Sequence, residues 1–109
     1  MKRVYIAGPL SSSGGYVENV RAAVLAAEAV IQAGGMPHVP HLCALWQFIS
    51  PHSEYGYWLP MDLEWLRLCH AVLRLPGASH GADAEVAEAQ RVGLPVFHDM
   101  EALLVWMKE

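Results

Sequence analysis

Basic residues are sparse in this sequence: seven Lys and Arg stand against eleven Asp and Glu in 109 residues, for a formal charge of −4. The seven are scattered, whereas binding to a phosphate backbone rests on clustered cations, so duplex nucleic acid is not an expected partner. Long apolar runs are missing too. None reaches the roughly 18 residues that span a bilayer, and Met1-Lys2-Arg3-Val4-Tyr5 leads into a strand rather than a signal segment. A cytoplasmic protein with no membrane partner is expected. Cysteine is nearly absent. Cys43 and Cys69 cannot build a disulfide framework, and a lone buried thiol behaves as a small apolar group. The loop Gly8-Pro9-Leu10-Ser11-Ser12-Ser13-Gly14-Gly15 has neither Gly-Lys-Ser/Thr nor G-x-G-x-x-G, which disfavours ATP and NAD. It is either an ordinary turn or a cradle of N–H groups and hydroxyls for one phosphate or sugar. Six histidines bring no metal motif. The densest group, His38-Val39-Pro40-His41-Leu42-Cys43, lacks the H-E-x-x-H spacing, and Pro40 is expected to bar a helix there. No metal and no cofactor are expected.

What the chain does have is apolar content, 54% hydrophobic residues, enough at this length for one core and one domain over residues 1–109. Arg3 to Ala7 reads as a strand stopped by Gly8-Pro9. From Tyr16, apolar residues recur at three and four until Gly34-Gly35 ends a helix. Met36 to Val39 is a short strand, and its prolines assign it to a sheet edge. His41 to Trp58 reads as an irregular, aromatic-rich lid or pocket wall with Trp46, Phe48, Tyr55, Tyr57 and Trp58. A helix opened by Pro60, a strand from Ala71 to Leu75, a helix from Gly81 or Ala82 to Val92, a strand from Leu94 to Phe97 and a helix from Met100 to Met107 complete the chain. Alternation of this kind predicts an α/β fold: a small doubly wound, Rossmann-like or flavodoxin-like parallel sheet of about four strands, order 2-1-3-4, with helices on both faces. Strand order 2-1-3-4 reverses between strands one and three, where open α/β sheets bind ligands, so the loops at 8–15 and 76–81 should meet there.

Three polar residues fall out of place in these patterns. Glu85 shares its helical stripe with Ala82, Val86 and Ala89, away from Asp83, Glu88 and Arg91. It reads as a first-turn acid facing the helix dipole, or as a carboxylate kept ionised by the helix end as a nucleophile, and the two readings are compatible. Asp62, in the first turn of the preceding helix, leaves the same pair of readings open, the second being a proton donor working with Glu85. Tyr5 points opposite to Val4 and Ile6, as a core tyrosine with a satisfied hydroxyl would.

Together, Tyr5-Ile6-Ala7-Gly8-Pro9, Asp62 at a helix start and Ser79-x-Gly81-x-x-x-Glu85 with Pro95-Val96 resemble the nucleoside 2-deoxyribosyltransferase-like superfamily over nearly the whole chain. That superfamily includes the 2′-deoxynucleoside 5′-monophosphate N-glycosidases and many short bacterial and phage members. The resemblance implies Glu85 as nucleophile on the anomeric carbon, Asp62 assisting departure of the base and Tyr5 orienting Glu85. It implies that Gly8 and Gly81 admit the ligand to the backbone and that Ser79 touches the sugar 5′ end or its phosphate. Pro9, Ser11 and His41 would lie beside them, with Trp46 and Trp58 stacking on the base. The implied partner is a small-molecule nucleoside or nucleotide, and the implied assembly a homodimer or larger. The chain departs from the pattern at His70, where many members have Asp, and at Ser11-Ser12-Ser13, where the monophosphate hydrolases carry Arg. Two other activities compete: a phosphoribohydrolase of the cytokinin-activating type, whose similar glycine turn is one residue shorter, and a nucleotide-binding sensor without turnover.

Overall fold

A computed structural model describes residues 1–12, 14–52 and 56–109. Four strands, β1 (Arg3–Ala7), β2 (Met36–His38), β3 (Ala71–Arg74) and β4 (Val96–Phe97), form a parallel sheet in the order β2-β1-β3-β4. Among the described residues five α-helices surround it: α1 (Tyr16–Gln32), α2 (Cys43–Ile49), α3 (Leu59–Arg67), α4 (His80–Arg91) and α5 (Met100–Met107). The architecture and strand order are those the alternation of elements predicts.

Alternation along β1 explains how the sheet is covered. Val4 and Ile6, with Ala71 and Leu73 of β3, pack on one face against Ala23, Ala26 and Val30 of α1 and Leu103 of α5. Tyr5 and Ala7, with Val72, pack on the other against Leu66 of α3 and Ala82 and Ala89 of α4. A sheet buried on both faces needs near-continuous apolar strands in its centre, and β1 and β3 are such strands. At the edge, the Met36 N–H donates to the Lys2 carbonyl at 2.8 Å. Alternation then turns the Pro37 nitrogen to the open side, where a missing donor costs nothing. Gly34, at φ +88°, supplies the left-handed turn that lets the chain leave α1 for β2.

The largest departure from the sequence reading lies in residues 41–58. Pro40 opens a 3₁₀ turn, Pro40–Leu42, and α2 follows it directly. Proline at the first helical position forfeits an N–H that has no partner anyway, so Pro40 starts a helical segment instead of barring one. The strands are also shorter than expected: β2 ends at His38, β3 at Arg74, and β4 holds Val96 and Phe97 alone. Ser13 and Tyr55 lie outside the described residues. Among the described residues no helix is long and apolar enough to cross a membrane.

Candidate active site

Beyond the carboxyl ends of β1 and β3 the two loops meet. The Leu75 N–H donates to the Ala7 carbonyl at 2.7 Å and the Ser12 hydroxyl to the Ala78 carbonyl at 2.8 Å. Gly8 is needed for this contact, because a Cβ there would stand 2.9 Å from the Cβ of Leu75, an atom that cannot swing aside. At Gly81 a Cβ would meet nothing nearer than 3.9 Å, so its bare backbone is open to the space in front of it. That space is a cavity of about 330 Å³. Gly8, Ser11 and His41 line it from one side, Trp58 and Asp62 from α3 and its approach, and Ser79, Gly81 and Glu85 from α4.

Glu85 is held by α4. Ser79 caps that helix, its hydroxyl accepting the Ala82 N–H at 3.1 Å, and the helix begins at His80 rather than at Gly81 or Ala82. Glu85 is therefore the sixth helical residue, and the first-turn acid is Asp83. A helix dipole acts mainly within the first turn, so neither dipole-based expectation for Glu85 holds. Burial governs it instead. Only 6% exposed, the carboxyl is raised to about 7, chiefly by loss of water; the Tyr5 hydrogen bond lowers it, the Asp62 charge raises it and Arg74 lowers it.

Tyr5 is fully buried in β1, and its hydroxyl donates to Glu85 Oε2 across the face of the sheet that carries α3 and α4. Burial first, then the charges of Glu85 and Asp62, push the phenol far above its ordinary range, so it remains a donor at every physiological pH. Asp62, in the first turn of α3, is raised to about 6 by burial. Two carboxyls thus line the cavity, and a permanent donor, itself buried and not part of the lining, holds one of them.

His41 is 3% exposed, and neither ring nitrogen makes a hydrogen bond among the described residues. Burial lowers its pKa, partly offset by the nearby backbone of Gly8 and Pro9. The imidazole is neutral at neutral pH, a donor and an acceptor in want of partners on a cavity wall. Pro9 itself is buried behind the wall and does not line it. Trp46 does not line it either. Placed on α2, it meets Trp58 edge-on at 5.4 Å and faces a neighbouring cavity. His70 lies at the amino end of β3, its Nδ1 accepting the Arg3 N–H at 2.9 Å, so that departure from the family pattern falls at the opposite end of the sheet.

Sequence reasoning passed over Leu10, Pro40, Cys43, Leu59 and Ala82, which also line the cavity, as do Ser12 and His80. Cys43 opens α2, a helix without a buried residue, so no apolar stripe announced it. Its thiol is raised by burial and by the Asp62 charge. Among the described residues no group of three His, Cys, Asp or Glu is placed to hold a metal ion.

Over 86% of its length the chain superposes on a 2-deoxyribosyltransferase from the psychrotolerant bacterium Bacillus psychrosaccharolyticus, covering 69% of that chain with a TM-score of 0.61. At 19% sequence identity the likeness establishes a common fold. No curated protein matches the sequence. Residues 2–99 match the model of a family described as a domain of unknown function (DUF7768), and the chain belongs to that family.

Proposed function

We propose that this protein cleaves the N-glycosidic bond of a (deoxy)nucleoside or nucleoside monophosphate, passing the glycosyl group through Glu85 to water or to a second base. The observation that carries this reading is the Tyr5 hydroxyl on Glu85 in a cavity that Asp62 also lines. In the first step a Glu85 carboxylate oxygen bonds to the anomeric carbon as the C–N bond breaks. The bonding pair leaves with the base nitrogen, which takes the proton of the Asp62 carboxyl. In the second, water or an acceptor base attacks the same carbon, gives its proton to the Asp62 carboxylate and frees Glu85 as the leaving carboxylate. The productive state needs one proton on the pair, carried by Asp62. Asp62 is raised to about 6 and Glu85 to about 7, so the pair loses its protons in steps across that range with the last one resting mainly on Glu85; the productive form, with that proton on Asp62, is the minor one, which the Tyr5 hydrogen bond to ionised Glu85 favours. Activity is expected to follow a bell centred in that range.

Incubation with ribonucleosides, deoxynucleosides and their monophosphates, with and without an acceptor base, tests the proposal by chromatography of released base. Binding without release from any of them would defeat it. Tyr5→Phe removes the donor while keeping the ring. Its kcat should fall about tenfold or more, as for loss of one charge-assisted hydrogen bond, and the acid limb of the pH profile should move upward because Glu85 ionises less readily.

The same reading includes a homodimer or larger assembly. Leu45, Phe48 and Ile49 turn outward from α2 at 69, 88 and 78% exposure, an apolar face that a second copy would cover. Sedimentation should find more than one chain per particle, and Phe48→Glu should shift it toward the monomer.

A further inference from the structure

The cavity that holds Glu85 does not end at Asp62. A second cavity, about 830 Å³, lies between α1, the β2 edge and α3, and Pro40, Cys43, Trp58 and Asp62 line both. The two differ in chemistry. The smaller has the serine hydroxyls, His41 and Glu85. The larger is walled by the rings of Trp46, Tyr57, Trp58 and Trp65 with aliphatic Val24 and Ile31; among the described residues its polar lining is Glu28, His38 and Asp62, with no Ser, Thr, Asn, Gln, Lys or Arg. Its ring planes are fixed: Trp65 stacks on His38 at 5.3 Å and 23°, and the Trp58 Nε1 donates to the Gln47 side chain at 3.1 Å.

Displacement at an anomeric carbon puts the departing group on the side away from the attacking carboxylate. With Glu85 as nucleophile, that is the side of the proton donor, and Asp62 opens into the larger cavity. Among the described residues, Asn and Gln side chains, which pair with the edges of a base, line neither cavity. We infer that the departing group is a planar heteroaromatic base extended by a bulky apolar substituent, which occupies the larger cavity and is chosen chiefly by burial and stacking. The inference deepens the glycosyl-transfer reading, on which it rests for the orientation of the substrate. The ligand class of the cavity can be measured without turnover.

The experiment pairs adenine with N6-benzyladenine as free ligands, followed by tryptophan fluorescence, and pairs the matching ribosides, deoxyribosides and monophosphates as substrates. Benzyl compounds should bind at least tenfold more tightly and react with at least tenfold higher kcat/KM. Val24, 36% exposed on α1, lines the larger cavity and not the one with Glu85, and Val24→Trp fills that larger cavity. That variant should abolish the benzyl advantage in both measurements, and a circular dichroism spectrum and melt like those of the parent protein report that it folds. A benzyl preference in binding with no turnover of any glycoside would defeat the glycosyl-transfer reading and leave the ligand class standing. Turnover without a benzyl preference, or a preference that survives Val24→Trp, overturns the inference; absence of both binding and turnover overturns both.

Discussion

Glu85→Gln should abolish release of base, by about three orders of magnitude or more, and at the same time make the protein more stable at pH 8. The loss follows from the role of nucleophile, since an amide cannot form and release the glycosyl ester. The gain in stability follows from burial. In the fold the carboxyl is raised from 4.5 to about 7, so above pH 7 the native protein holds an ionised group that its surroundings disfavour. The sign is that of a group whose folded pKa lies above its unfolded one: between the two values the unfolded chain binds fewer protons, and stability falls as pH rises through 7. A shift of this size costs about 3 kcal/mol once ionisation is complete, and glutamine, which still accepts from Tyr5, removes the cost. For a domain of this size, melting at pH 8 should rise by ~10 °C, and near pH 4, where the carboxyl is protonated in the fold, the two proteins should melt within a degree or two of each other. Circular dichroism melts at the two pH values measure this. An acid held in place by a helix dipole would behave in the opposite way, because its removal would destabilise the protein at pH 8. Full activity in the variant would defeat the assigned role outright.

The parts of this site differ in how far the sequence exposes them. The sheet was legible because β1 and β3 are short apolar runs bounded by Gly and Pro, and α1 and α4 carry stripes at helical spacing. Helical phase alone set Glu85 among Ala82 and Ala89, the residues it is buried with. The start of α4 was misjudged because Gly81 looks like the end of a turn, whereas the Ser79 hydroxyl makes it the second residue of a helix, and that error moved Glu85 into a first turn it does not occupy. Nothing local to Tyr5 names its partner. The hydrogen bond joins residues 80 apart, and from its own segment Tyr5 is a core tyrosine with a satisfied hydroxyl. The aromatic stretch was legible as a pocket wall by composition but not by direction. Because α2 buries none of its residues it has no periodic signature, and its placement turns Trp46 to the larger cavity rather than to the one with Glu85. His41 was conspicuous in the sequence as part of a histidine cluster, yet the cluster divides: His38 stacks on Trp65 and meets Tyr5 at a tilt while His41 lines the cavity.

Asp62→Asn should separate the two carboxyls by the chemistry of the departing base. An ordinary purine leaves as an anion unless it is protonated as the C–N bond breaks, and a placed acid contributes about 10²- to 10⁴-fold to such a step. Asparagine keeps the shape of the side chain, and with it the boundary between the two cavities, but has no acidic proton to give. Release from unmodified purine substrates should therefore fall by about 10²- to 10⁴-fold. A 7-methylguanine substrate already carries a positive charge on its base, which departs neutral with no proton needed, and its rate should fall less than about tenfold in the same variant. The alkaline limb of the pH profile should vanish for the variant, since that limb reports the loss of the last proton from a pair raised by burial to about 6 and 7. Glu85→Gln should instead suppress both substrates alike, because attack on the anomeric carbon is common to them. If Asp62→Asn slows the methylated and unmethylated substrates equally, Asp62 holds the substrate in position and the proton comes from elsewhere. His41, a neutral imidazole that lines the same cavity with both ring nitrogens unpaired among the described residues, would then be the group to replace next.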